Sequence, residues 1–321
     1  MLSTSRPRVL PAALIMTGAL ALTSCTSGDA PAGGGGGGGG EVEMVGLMLQ
    51  DISNPFFAVM QDSMQQAAQQ DGFQVNVQDG RQDLGQQNDQ VDALIQQGAD
   101  LILLNAVDSA GIASAVARAQ AAGIPVVAVD VDAQGADAAV TTDNVEAGRQ
   151  SCQALVDKMG GSGNILIIEG TPTSAPQDRV KGCEEVLAAN PGVEVVGRQA
   201  GKNDRDSGLQ LATDMLTANQ DVKGIFAIND PEALGADLAV RQAGRTGIVI
   251  TGVDGSPEAV KALQDPNSNF YATPAQDPAG MVLKALEVGR GIVAGNPPAE
   301  RITLLKPELV TRDTVSSYPG W

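Results

Sequence analysis

From residue 43 onward the chain alternates short runs of β-branched or aliphatic residues with longer stretches whose apolar positions recur at helical spacing. The runs at 44–49, 73–78, 101–104, 125–129, 165–168, 193–196, 224–228 and 248–253 predict strands, with shorter ones near 270–273 and 301–305. Between them, Ala- and Gln-rich segments such as 58–70, 86–97 and 208–217 predict amphipathic helices. The strand runs are apolar throughout, as strands covered on both faces must be. Strand and helix in alternation at these lengths imply α/β architecture with parallel sheets.

The alternation contains a duplication. Leu104-Asn105 precedes a helix, and a Gly123-Ile124 pair then leads through an apolar run to Val129-Asp130. Later, Ile228-Asn229 precedes a helix, and Gly247-Ile248 leads to Val253-Asp254. Asn and Asp are 25 residues apart in both copies, and one offset of 124 relates the Asn, the Gly-Ile and the Val-Asp alike. Two similar lobes follow, each presenting an Asn and an Asp just past the carboxyl ends of adjacent parallel strands. Open α/β sheets bind ligands in the crevice beyond those ends, so two such edges face to face make a cleft. An amide both donates and accepts, and an ionised carboxylate accepts hydroxyl donors strongly, which together suit a neutral polyhydroxyl ligand.

Composition narrows the chemistry. The 321 residues carry 20 Lys+Arg against 38 Asp+Glu and no histidine, for a formal charge of −18. Without histidine there is no Ser-His-Asp or Cys-His mechanism and no His-ligated zinc or haem. No basic stripe exists to meet phosphates, so nucleic acid is not an expected partner. No GxGxxG follows a strand and no GxxxxGK[ST] occurs, which disfavours nucleotides; no cofactor and no metal is expected. Only eight residues are aromatic, yet 43% of the chain is apolar and can build a core.

Residues 1–24 open with Arg6 and Arg8, continue through the fourteen uncharged residues 9–22, and end before Cys25, the pattern of a signal peptide too short to span a bilayer. Leu22-Thr23-Ser24-Cys25 resembles the lipobox of bacterial lipoproteins, which implies a lipidated Cys25 as the mature N-terminus. Residues 25–42, with eight glycines in a row, read as a flexible tether of about 20 Å r.m.s. span. The expected location is the outer face of the cell membrane, reached through the lipid anchor alone. Cys152 and Cys183 remain, and export to an oxidising compartment favours a disulfide between them over two buried thiols.

Several candidate site residues also have a local structural reading. Asn54 and Pro55 suit an N-cap and first helical residue. The adjacent Phe56 and Phe57 point about 100° apart on a helix, so one ring is expected to face the cleft and pack on a sugar's C–H face. Asp230-Pro231 and Ser256-Pro257 supply caps that leave Asn229 and Asp254 free, and Asp143 with Glu146 resembles a capping box that frees Thr142.

With these residues in place the chain resembles the bacterial sugar-binding proteins of the ribose and galactose type, the periplasmic receptors of ABC importers. The likeness covers residues 43–312 and rests on the order and spacing of Asn54-Pro55-Phe56-Phe57, Leu104-Asn105 with Asp108-Ser109, Val129-Asp130, Thr142-Asp143-Asn144, Asp204-Arg205 with Gly208, Ala227-Ile228-Asn229-Asp230, Val253-Asp254-Gly255 and Ala275-Gln276. It implies the type I periplasmic binding protein fold: two Rossmann-like lobes joined by three crossings. The expected lobes are 43–142 with 277–302, and 143–276 with 303–321. Carried over by position, it implies a ligand set of Asn54, Phe56, Phe57, Asn105, Asp130, Thr142, Asn229, Asp254 and Gln276, in a monomer that delivers its sugar to permease subunits.

The departures bear on the ligand. Ribose receptors have Arg after the first-lobe Asp, where Val131 stands; Arg where Gln177 aligns; and an aromatic where Asn203 aligns. Gln50, Gln177 and Asn203 thus become candidate discriminating contacts for a pentose, or alternatively a sugar alcohol or cyclitol. Two other classes are set against the transport receptor. A sugar-sensing repressor would carry a basic helix-turn-helix where the lipobox and glycine tether stand. A carboxylate-pair glycosidase built on Asp130 and Asp254 would need one carboxyl held protonated at a suitable separation. The expectation is that the protein is not an enzyme.

Overall fold

The structure, a computed structural model, describes residues 41–321. The expected signal peptide, Cys25 and the expected tether through residue 40 lie outside the described residues. Val42, read above as the end of the tether, is already buried in the first lobe's core. Among the described residues no helix is long and apolar enough to cross a membrane.

The first lobe runs β1 (Met44–Leu49), α1 (Pro55–Asp71), β2 (Gln74–Asp79), α2 (Leu84–Gln97), β3 (Leu101–Leu104), α3 (Ala113–Ala121), β4 (Val126–Val129) and β5 (Ala138–Thr142). The second continues with α4 (Asn144–Lys158), β6 (Gly163–Glu169), α5 (Ser174–Ala189), β7 (Val193–Ala200), α6 (Arg205–Ala218), β8 (Val222–Ala227), α7 (Asp230–Gln242), β9 (Val249–Thr251), α8 (Pro257–Gln264) and β10 (Phe270–Ala275). The chain then returns to the first lobe for α9 (Pro278–Val293) and β11 (Ile302–Leu305), and ends in the second with β12 (Glu308–Thr311) and a 3-10 turn at Val315–Ser317. The sheet orders are β11-β5-β4-β3-β1-β2 and β12-β10-β9-β8-β6-β7, the same winding twice. All pairings are parallel except β10 with β12. In each lobe the strand order reverses at the first strand, the switch point where such sheets open a crevice.

Every predicted strand is present, with ends moved by a few residues. Two strands were not predicted. β5 begins with a pair of alanines, poor strand formers, and owes its place to burial on both faces. β12 is a short half-exposed edge strand with no apolar run to announce it. The third crossing also moves. β11 pairs with β5 from Ile302↔Ala139 to Leu305↔Thr142, so residues 303–305 belong to the first sheet and the chain crosses at 306–307 rather than after 302.

Each sheet is covered on both faces. In the first lobe α1 and α9 close one core, around Leu47, Met60, Val127 and Leu286, while α2 and α3 close the other around Leu94, Ile102 and Val116. The second lobe repeats this with α6, α7 and α8 on one side of its sheet and α4 and α5 on the other. Cys152 on α4 and Cys183 on α5 form a disulfide within that last layer. The same helices meet at glycines: a Cβ on Gly148 would lie 2.0 Å from the Arg179 carbonyl, and one on Gly182 2.0 Å from that of Val145. Only glycine allows this approach, which fixes the position of α5 and its side chains.

Candidate functional site

The carboxyl ends of the strands converge as the duplication predicts. Gln50 follows β1, Asn105 follows β3, Asp130 follows β4 and Thr142 ends β5; across the cleft, Asn229 lies just past β8, Asp254 past β9 and Gln276 follows β10. Between them is a narrow hollow of about 30 Å³, lined from the first lobe by Gln50, Asn54, Phe56, Phe57, Asp130 and Val131, and from the second by Thr173, Arg179, Asn203, Asn229, Asp254 and Gln276 among others.

Both aspartates have backbone conformations unusual for an L-residue, φ 67° at Asp130 and 145° at Asp254. Such strain persists only where surroundings enforce it. At Asp130 they do: Asn105 Nδ2 donates to its Oδ2 at 3.0 Å and to the Val129 carbonyl at 3.1 Å, while Asn105 Oδ1 accepts from Gln50 N at 3.0 Å. Asn105 has no exposed surface and does not line the hollow. Predicted as a ligand contact, it instead positions Asp130, because its amide is spent within its own lobe. Thr142 is likewise set back: its Oγ1 donates to Gln276 Oε1 at 2.6 Å, and Gln276 Nε2 donates to Asp254 Oδ1 at 2.8 Å.

Arg179, absent from the sequence reading, is the cation of the site. Its Nε donates to Asn144 Oδ1 at 2.8 Å, and its Nη1 donates to the Ile228 carbonyl at 2.9 Å and lies 3.5 Å from Asp254 Oδ1. Nη2 has no protein partner among the described residues. Gln177, aligned above with a family arginine, is exposed and does not line the hollow. A guanidinium nevertheless reaches the hollow, from Arg179 two residues further along α5. A basic residue on α5 was visible in the sequence, but no local pattern singled it out.

Asn229 also differs from expectation. It is itself the N-cap of α7, Oδ1 accepting from Glu232 N at 2.9 Å, because the Asp230 carboxylate turns to Ser256 N at 2.8 Å instead. Its Nδ2 donates to the Asn203 carbonyl at 2.9 Å, leaving one proton for the hollow. Ser256 and Asp143 cap α8 and α4 as predicted, and Asn54 caps α1 through Phe56 N. Glu146, however, turns to Arg149 rather than completing a box. Asn203, φ 62°, bridges to Thr171 with both ends of its amide and so joins two loops while lining the hollow. Phe56 and Phe57 stand edge to face with centroids 5.5 Å apart; both, rather than one, line the hollow while belonging to the first lobe's core.

The electrostatics are those of an acceptor-rich, buried site. Burial pushes Asp130 up to about 6, against the attraction of Arg179 and the Asn105 bond. Asp254 is also raised by burial, opposed by Arg179 and Gln276. Asp230, behind it, is raised by burial and by the Asp254 charge, and Glu232 is raised by burial. Gln50 Oε1 is buried without a hydrogen-bond partner, an unmet acceptor in the wall of the hollow. Asp130 Oδ1 is unengaged among the described residues, and Asp254 Oδ2 accepts only a long bond, 3.4 Å from Asp230 N. No group of acidic or cysteine side chains that could hold a metal occurs among the described residues.

Comparison with known proteins agrees with this geometry. The periplasmic binding protein domain family matches residues 45–297. The ribose import binding protein of Bacillus subtilis is 33% identical over 254 residues, 78% of this chain and 82% of that protein. The xylitol-binding protein of Mycolicibacterium smegmatis is 30% identical over 300 residues, 92% of this chain and 83% of that protein. Among solved structures, an ABC transporter solute-binding protein from Mycobacterium smegmatis with bound glycerol superposes with a TM-score of 0.82 at 29% identity, covering 88% of this chain and 98% of that one.

Proposed function

The chain belongs to the periplasmic binding protein family, and on that premise we propose that it is the substrate-binding receptor of an ABC importer for one neutral pentose or pentitol, held without turnover. The observation that carries the ligand class is the inventory of free groups in the hollow. Three acceptors await donors, at Asp130, Asp254 and Gln50, and the one cation among the described residues that line it, Arg179, is already shared with Asp254. Hydroxyl groups satisfy such acceptors; a phosphate or carboxylate would meet two carboxylates of its own sign. Phe56 and Phe57 offer rings to the C–H face of the same ligand.

Two features favour a linear pentitol over a furanose ring. Val131 places an apolar side chain where ribose receptors have a second guanidinium, and a relative named for xylitol matches over most of the chain. In this reading the lobes swing on the three crossings, the ligand stabilises the closed form because only there do both carboxylates reach it, and the closed form docks on the permease. The lipobox at Cys25 then holds the receptor at the outer face of the membrane.

Thermal-shift screening against D-ribose, D-xylose, xylitol, D-arabinitol and myo-inositol, followed by calorimetry, tests this. A raised melting temperature and one site per chain for a pentitol or pentose is the expected result. Selective binding of a sugar acid or a sugar phosphate would overturn the ligand class, and released product from a panel of glycosides would overturn the receptor.

A further inference from the structure

The only tryptophan in the chain does not line the inner hollow, yet it touches both lobes. After β12 and the 3-10 turn, the Tyr318 hydroxyl donates to the Gly255 carbonyl at 3.0 Å and the ring packs against the second lobe's core. Three residues later Trp321 sets its indole edge-on to Phe56 of the first lobe, with centroids 5.7 Å apart and 83° between planes, and packs against that lobe's core. Its Nε1–H donates to the Asp254 carbonyl at 2.8 Å. One side chain thus holds a ring of the first lobe that lines the hollow and, in the second, the backbone of the aspartate with φ 145°. It does so from the outer part of the cleft, a space of about 280 Å³ that Trp321 lines with Asn54 and Pro55 on one side and Asn203 and Ser256 on the other.

We propose that residues 318–321 form a strap that latches the closed cleft, and that Trp321 is an affinity-determining residue acting through Phe56 and Asp254 rather than by touching the ligand. The proposal rests on the receptor reading above. Tyr318 anchors the strap within the second lobe, in any arrangement of the lobes. The contact with Phe56 crosses the cleft and exists only when the lobes are together. A contact present in the closed state and absent from the open one stabilises the closed state alone, so it slows ligand escape more than it speeds capture. The same placement explains how the site manages with Asn203 where an aromatic residue is expected: Trp321 supplies an aromatic wall from another part of the chain, one layer further out.

The test uses the whole protein and, as probe, whichever of D-ribose, D-xylose, xylitol and myo-inositol binds the wild type most tightly by calorimetry. Stopped-flow dissociation from W321A should be faster by about two- to tenfold, the worth of the one aromatic pair that crosses the cleft, with the association rate nearly unchanged. W321F, which keeps a ring but loses the N–H, should fall between, and Y318F should speed dissociation by freeing the anchor. Because Trp321 is the only indole, wild-type emission reports it directly, and acrylamide quenching should drop when the probe binds. Dissociation from W321A and W321F at the wild-type rate, or quenching indifferent to the probe, overturns the latch while leaving the receptor intact. Failure of the wild type to bind any of these four or D-arabinitol overturns the pentose or pentitol reading and the latch with it.

Discussion

Thr142 and Gln276 hydrogen-bond to each other, Thr142 Oγ1 donating to Gln276 Oε1 at 2.6 Å, and they sit where the chain makes its first and second crossings between the lobes. Gln276 passes the constraint on to Asp254 at 2.8 Å. Hinge and site are therefore one hydrogen-bonded piece. Thr142→Val keeps the shape but removes the donor, leaving a buried amide oxygen unmet. Its expected effect is about 1–3 kcal/mol of lost stability together with weaker ligand binding, read by denaturant melts and calorimetry. Unchanged affinity would separate hinge from site.

Asp130 and Asp254 are predicted to carry most of the polar affinity. Asp130→Asn and Asp254→Asn each exchange a charge-assisted acceptor for a neutral amide and should weaken binding by about 1.5–3 kcal/mol. Calorimetry at neutral pH measures this, and a loss confined to one of them would mean that only one lobe grips the ligand.

The raised carboxyl at Asp130 makes a prediction with a definite sign. Its value moves from 3.8 in the unfolded chain to about 6 in the fold, so the native state holds the proton more tightly. Between those values this group's contribution to stability falls as pH rises, because the fold must increasingly bury a charge. The melting temperature of wild type relative to Asp130→Asn should accordingly decline over that window in the unliganded protein. Ligand hydroxyls favour the ionised form, so binding near pH 6 should release protons, and affinity should weaken below it. Calorimetry in buffers of different ionisation enthalpy reads the proton count; net uptake would contradict hydroxyl donation to Asp130.

Gln50 separates binding from folding. Its side-chain oxygen is buried without a partner, a standing cost to the unliganded protein that a ligand hydroxyl removes. Gln50→Leu is expected to raise the melting temperature without ligand and to weaken binding by about 1 kcal/mol or more. If stability falls and affinity holds, the amide is structural.

Gly148 links the packing of α4 and α5 to the site. A methyl there meets the Arg179 carbonyl at 2.0 Å, so Gly148→Ala must push α5 outward and carry the guanidinium away from Asp254. Overpacking of this kind costs about 1–3 kcal/mol. The informative readout is affinity: a drop beyond that of a distant destabilising control shows that α5 is placed for Arg179.

Most of the scaffold of the site was legible in the chain. The repeat at an offset of 124 places Asn105, Asp130, Asn229 and Asp254 at strand ends, because a strand buried on both faces must be an apolar run and its end is where polar residues resume. The alignment of the two lobes' edges followed from the same periodicity.

What each polar group does there was decided by tertiary structure. Asn105 and Asn229 occupy matching positions, yet one is enclosed within its lobe and the other caps a helix and borders the hollow, since neighbours distant in sequence claim their hydrogen bonds. Arg179 reaches the site because two glycines let α5 approach α4 and Asn144 on α4 accepts from its guanidinium. The third crossing moved because β11 pairs with β5. Trp321 reached Phe56 across 265 positions of chain. Hydrophobic periodicity is a local property and can be read along the sequence; hydrogen-bond partners and contacts across a cleft are settled only when separate segments meet and compete for the same groups.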